Sequence, residues 1–121
     1  MITGSCQCGA VQYELLSEPF RASHCHCKMC QKLHGSAFAT YVTISKNDLS
    51  YISGLTEITE YSSSAHVTRK FCRTCGSNVE WSDSRRYPDR VSVTLATLDG
   101  SYSPSEIHEI FAETAVCWSV R

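Results

Sequence analysis

The sequence predicts an all-β domain of several antiparallel strands, with loops tied to strands by bound metal. Three observations point there. Apolar residues recur with a period of two, turn-forming clusters interrupt them at short intervals, and seven of eight cysteines fall in two close pairs and one triplet.

The strand segments, in order, are 10–16 (AVQYELL), 38–44 (FATYVTI), 57–62 (EITEYS), 66–72 (HVTRKFC), 78–82 (NVEWS), 91–98 (VSVTLATL) and 109–116 (EIFAETAV). Each is rich in the β-branched and aromatic residues that fit a pleated, half-buried surface. Between them lie SEP at 17–19, SKND at 45–48, SGL at 53–55, DSRRYPD at 83–89 and DGSYSPS at 99–105, where Gly, Pro, Asn, Asp and Ser supply turns. Helix is expected only in short pieces: KMCQKL at 28–33, one turn at 45–49 and another at 104–108. No repeat, low-complexity tract or linker divides the chain, and 121 residues suit one domain spanning 1–121.

A net charge of −1 gives no electrostatic reason to expect a nucleic-acid or anionic-membrane partner. Arg69, Lys70 and Arg73 cluster, as do Arg85, Arg86 and Arg90; scattered acids offset them, so both groups are expected on solvated faces. No apolar run approaches the roughly 18 residues of a membrane span. The opening MITGSCQCG has neither a basic nor an apolar targeting region, and neither Asn47 nor Asn78 begins a glycosylation acceptor. The expected location is the cytoplasm. In that reducing compartment, eight cysteines argue for metal rather than disulfides.

Zinc bound by thiolates sits about 2.3 Å from each sulfur, so tetrahedral sulfurs lie roughly 3.8 Å apart. Tight turns or residues on one side of a strand meet that demand. Cys72-Arg-Thr-Cys75-Gly76 has the form of a zinc knuckle, and Cys6-Gln-Cys8-Gly9 puts two thiols on one side of an extended chain. The simplest assignment is one closed zinc site made of Cys6, Cys8, Cys72 and Cys75. Such a clip restrains the unfolded chain as a long-range cross-link does.

Cys25, Cys27 and Cys30 remain. Cys27 and Cys30, at i and i+3, share a helical face, and Cys25 sits in the extended lead-in, so the three can converge on one ion. Three protein ligands plus one open position mark catalytic rather than structural zinc. The alternative is closure by Cys117, His24, His26 or His34. Alternation points His26 away from its neighbours, His34 lies one turn beyond Cys30 or caps the helix before Gly35, and Cys117 beside Trp118 reads as a buried, inert thiol.

The blocks GSCQCGAVQYE (4–14), CHCKMCQKLHGSAFATY (25–41) and FCRTCGSNV (71–79) resemble the three signature blocks of the glutathione-dependent formaldehyde-activating enzyme family, also called the centromere-protein-V family. IHEIFAETAVCW (107–118) is similar to the family's closing strand, with Cys117 in place of the usual proline. The resemblance implies an Mss4-like fold, a coiled all-β domain with little helix. It also implies a structural zinc on Cys6, Cys8, Cys72 and Cys75, and a second zinc, associated with activity, on Cys25, Cys27 and Cys30. The implied reaction joins formaldehyde to glutathione to give S-hydroxymethylglutathione, formally that of a carbon–sulfur lyase.

The expected chemistry follows. Two zinc ions bind per chain, and the three-ligand site loses metal first. Its zinc holds an incoming small thiol such as glutathione as thiolate, ready to attack formaldehyde or a related small aldehyde. Three thiolates leave the site formally anionic, which favours thiol activation over hydrolysis. His34, Ser36 and Tyr41 are the candidate proton donors; Lys28, Lys32, Arg69 and Arg73 are the nearest cations for an anionic thiol. From a different class, the alternative is a non-enzymatic, zinc-stabilised binding module with both sites structural. A third reading is a redox or metal-buffering protein whose Cys27 and Cys30 form a disulfide.

Overall fold

The computed structural model describes residues 1–119. Within them, ten strands and one helix follow in order: β1 (Ile2–Ser5), β2 (Gln12–Leu15), β3 (Arg21–Cys25), α1 (Lys28–His34), β4 (Ala39–Ser45), β5 (Leu49–Ser53), β6 (Ile58–Ser62), β7 (Val67–Cys72), β8 (Asn78–Asp83), β9 (Arg90–Thr94) and β10 (His108–Ile110). Single 3₁₀ turns occupy Lys46–Asp48, Leu95–Thr97 and Ala112–Thr114. The all-β expectation holds.

The strands form two sheets, ordered β1-β2-β5 and β10-β3-β4-β9-β8-β7-β6. All pairings are antiparallel except β10 on β3, a parallel edge pairing. Period two explains how the larger sheet is used. Ala22, Val42, Ile44, Val91 and Val93 point one way and pack with Tyr13 and Leu15 from β2 to form the main core. The alternate residues Arg21, Ser23, Cys25, Tyr41, Thr43 and Ser92 line a cavity on the opposite face. In the β7–β8 pair, Lys70 faces Glu80 and Phe71 faces Asn78, leaving Val79 as a bulge that turns into the core.

Seven residues are too few for a helix to persist alone, so α1 depends on its ends and its packing. Cys27 is the N-cap, its sulfur accepting the Cys30 N–H at 3.3 Å, and Gly35 closes the C-terminus in the left-handed region. Gln31 anchors the buried side, donating to the carbonyls of His26 at 2.8 Å and Thr114 at 3.0 Å.

Several boundaries differ from the expected ones. β1, β3 and β5 were not anticipated, because each is a short strand without a clean apolar alternation. The segment 91–98 ends as a strand at Thr94 and turns. The segment 109–116 yields only His108–Ile110, because Phe111 takes a left-handed conformation (φ 55°) that ends the pairing. No helix forms over 104–108, where the chain is irregular until His108 enters β10.

Candidate functional site

Two groups of cysteine sulfurs are brought together, and they coincide with the pairs and triplet read from spacing. Cys6, Cys8, Cys72 and Cys75 form one group and Cys25, Cys27 and Cys30 the other; within each, every sulfur lies within 4.8 Å of the rest.

In the first group, Cys6–Cys8 is 3.6 Å and Cys8–Cys72 is 3.8 Å. These separations suit sulfurs sharing one tetrahedral ion. The flanking turns set them. Gly9 (φ 82°) donates its N–H to the Cys6 carbonyl at 3.0 Å, and Gly76 (φ 80°) donates to the Cys72 carbonyl at 2.7 Å. A side chain at either position would be strained, so glycine permits both turns. The Val11 N–H points at the Cys6 sulfur at 3.3 Å, and a hydrogen bond with Ser77 helps to pull the Cys75 thiol down to about 5. Four soft donors at this spacing, two of them buried, fit zinc. The group joins the loop after β1 in the small sheet to the β7–β8 turn in the large one.

The second group grows from one short stretch, where β3 ends and α1 begins. Cys25 and Cys27 are 3.4 Å apart, and Cys30 is almost wholly buried. Three sulfur donors fit zinc here too, with one ligand fewer. Hydrogen bonding with Cys25 holds the Cys30 thiol down to about 6, against the opposing effect of burial, and the charge of Arg69 adds to the lowering. The same bond raises Cys25.

Arg69 is the residue that sequence reasoning misplaced. Expected on a solvated face, it is only 6% exposed, and both terminal nitrogens donate to the Cys30 sulfur at 3.6 Å. Its other contacts are the Tyr41 oxygen at 3.3 Å and the Ser63 hydroxyl at 3.0 Å. A buried guanidinium aimed at a sulfur offsets the negative charge that thiolates gather. Tyr41 in turn lies 3.1 Å from His34 Nε2, so Arg69, Tyr41 and His34 form a chain beside the triplet. Burial pushes the Tyr41 phenol up and the His34 imidazole down, keeping both neutral near pH 7.

The three histidines considered as fourth ligands are otherwise engaged. His24 Nδ1 lies 2.7 Å from the Thr40 hydroxyl. His26 is fully buried and hydrogen-bonded through Nε2 to Glu109 at 2.6 Å. His34 holds Tyr41 rather than capping the helix, a role Gly35 takes. Cys117, expected to be buried, is exposed. Among the described residues, no fourth Cys, His, Asp or Glu ligand joins the triplet.

The triplet opens on a cavity of about 750 Å³. Met29, Ile110 and Phe111 stand at the cysteine end, while Tyr41, Trp81 and the hydroxyls of Ser23, Thr43 and Ser92 form its floor. Of the cations expected near an anionic thiol, only Arg69 lines this space; Lys28, Lys32 and Arg73 are exposed elsewhere, and Arg73 pairs with Glu57 at 3.3 Å. Ser36 is likewise exposed and outside it. Arg21, Arg86 and Arg90 were missed; stepping back along β3 in twos from Cys25 to Ser23 to Arg21 was the available signal.

Comparison with known proteins agrees with this geometry. The chain is 29% identical over 76 residues to an uncharacterized lyase of Schizosaccharomyces pombe, covering 63% of this chain and 53% of that protein. It thus spans about half the length of that relative. A crystal structure of a Rhodobacter sphaeroides protein matches with a TM-score of 0.70 at 29% identity, over 88% of this chain and 98% of that one. The family model for the glutathione-dependent formaldehyde-activating enzyme matches residues 1–114, a span that holds both cysteine groups. The chain belongs to the glutathione-dependent formaldehyde-activating enzyme family.

Proposed function

We propose that this protein adds a small thiol, of the glutathione type, to formaldehyde or a related small aldehyde, as a carbon–sulfur lyase working at Cys25, Cys27 and Cys30. The observation that carries the proposal is a triplet of thiols on the wall of a large cavity, with buried Arg69 donating to the Cys30 sulfur. In this reading Cys6, Cys8, Cys72 and Cys75 hold a structural zinc, and Cys25, Cys27 and Cys30 hold a second one, each chain acting as one zinc-stapled domain. Zinc bound by the triplet supplies a means of holding a thiol as its thiolate at neutral pH.

The chain's own groups do the rest. The cavity holds thiol and aldehyde in reach of each other, so that proximity contributes most of the acceleration. Carbon–sulfur bond formation breaks the carbonyl π bond and leaves the electron pair on oxygen. That oxygen then takes a proton, and the thiol's proton leaves to solvent, giving R–S–CH₂–OH. Tyr41 is the best-placed donor. Its oxygen accepts from Arg69, which leaves its own hydrogen for His34 or for an alkoxide in the cavity. Arg69 keeps Cys30 in place and offsets the charge of the thiolates.

The test follows exchange between ¹³C-formaldehyde and its glutathione adduct by NMR. Zinc-loaded wild type is expected to accelerate exchange above the spontaneous rate, and Cys30→Ser to return it to that rate. Spontaneous exchange with the wild type overturns the proposal.

A further inference from the structure

Three arginines at the far end of the cavity form no salt bridge with a carboxylate among the described residues: Arg21, Arg86 and Arg90. Arg21 begins β3 and Arg90 begins β9, on either side of β4, which brings them to the same end of the sheet through the pairs Arg21 with Thr43 and Arg90 with Ser45. Aromatic faces support two of them. The Arg90 guanidinium lies 4.7 Å from the Tyr87 ring centre and 5.3 Å from that of Phe20, and the Arg86 guanidinium 5.6 Å from Tyr87. Stacking fixes a guanidinium plane while leaving its N–H donors available. One acid lines the cavity, Asp83. The backbone N–H groups of Arg86 at 2.9 Å and Arg85 at 3.0 Å donate to its Oδ1 and hold its carboxyl low, and the Arg86 charge adds to that. Asp83 thus offsets part of one arginine's charge and leaves that of Arg21 and Arg90. A chain of net charge −1 has gathered four arginines, Arg69 included, on a cavity lined by one acid.

Distance narrows the ligand. Arg21 and Cys25 are the two ends of β3, about 13 Å apart along an extended strand. A thiol whose carboxylate adjoins its sulfur-bearing carbon frame, as in free cysteine, covers little of that span. A thiol carrying its carboxylate at the end of an extended peptide covers more of it and leaves the rest to the reach of the arginine side chains, with the hydroxyls of Ser23, Thr43 and Ser92 beneath it. We infer that Arg21, Arg86 and Arg90 form a carboxylate-recognising wall that selects peptide-length anionic thiols. This rests on the triplet being the place where the thiol reacts.

Calorimetry on the zinc-loaded full chain tests it, using S-methylglutathione, whose blocked sulfur leaves recognition to the rest of the molecule, and its dimethyl ester. The acid is expected to bind at least about tenfold more tightly than the ester, with the gap narrowing as salt rises. Arg21→Gln with Arg90→Gln is expected to remove most of the gap while keeping two zinc ions and the thermal midpoint. Equal binding of acid and ester by the wild type, or a full gap in the double variant, overturns the wall. A gap without any thiol–formaldehyde exchange upholds the wall and removes only the proposed reaction; exchange without a gap removes only the wall.

Discussion

The two cysteine groups differ in what they connect. Cys6, Cys8, Cys72 and Cys75 come from both sheets, with Cys8 and Cys72 64 positions apart. Cys25, Cys27 and Cys30 come from one six-residue stretch. By the chain-entropy relation for cross-links, tying the first pair restrains the unfolded chain by about 4 kcal/mol, against about 2 kcal/mol for closing the second loop. The first group also has four donors; the second has three donors, a buried arginine and a large opening. A closed, distant-ligand group is suited to hold the fold, and a local, open-sided one can exchange a ligand while the fold stays intact.

Breaking the first group is expected to have the largest effect. Structural zinc in small domains contributes about 10–16 kcal/mol, as much as a whole domain's stability or more. Cys72→Ser should therefore abolish the cooperative thermal transition seen by circular dichroism. Survival of that transition would show that the two sheets do not need the clip.

Next in size is Cys30→Ser. Zinc content, measured by elemental analysis, is expected to fall from two to one per chain, with the thermal transition retained. Loss of both ions would mean the groups are not independent.

Arg69→Met sharpens the comparison at one group only. Removing a partner that orients a metal ligand typically costs about 10–100-fold in affinity. Chelator competition should show that loss at one of two zinc ions. Arg69→Lys restores the charge without the two-nitrogen contact to Cys30, so it is expected to recover only part of the loss. Acid acts in the same sense. Thiolates must be deprotonated to bind, so affinity falls as pH falls, and the three-donor group is expected to release zinc at a higher pH than the four-donor group.

Cys117→Ser should have the smallest effect. The thiol is exposed, so both zinc ions and stability within about 0.5 kcal/mol are expected to remain. Loss of one ion on this substitution would make Cys117 a ligand and the triplet a closed site.

The two cysteine groups were legible in sequence because their spacing is local: a pair of cysteines before glycine, or a triplet opening a helix, reads the same before and after folding. Arg69 was not. Three residues before Cys72 in a run of basic residues, it looks like surface, and only the sheet that carries β7 past the triplet buries it against Cys30. β3 was missed for a related reason. RASHC alternates between an apolar core and a polar cavity rather than between core and solvent, so its pattern lacks contrast. The short β10 was overextended through 116, because nothing in EIFAETAV announces the left-handed turn at Phe111.

Zinc-edge X-ray absorption on the fully loaded protein, before and after glutathione, bears most directly on the exchangeable character of the triplet. The account predicts that mean sulfur coordination per zinc rises from about 3.5 toward 4, as a thiol joins the three-donor site while the four-donor site stays constant. Unchanged coordination at saturating glutathione would contradict it and leave both groups as structural clips.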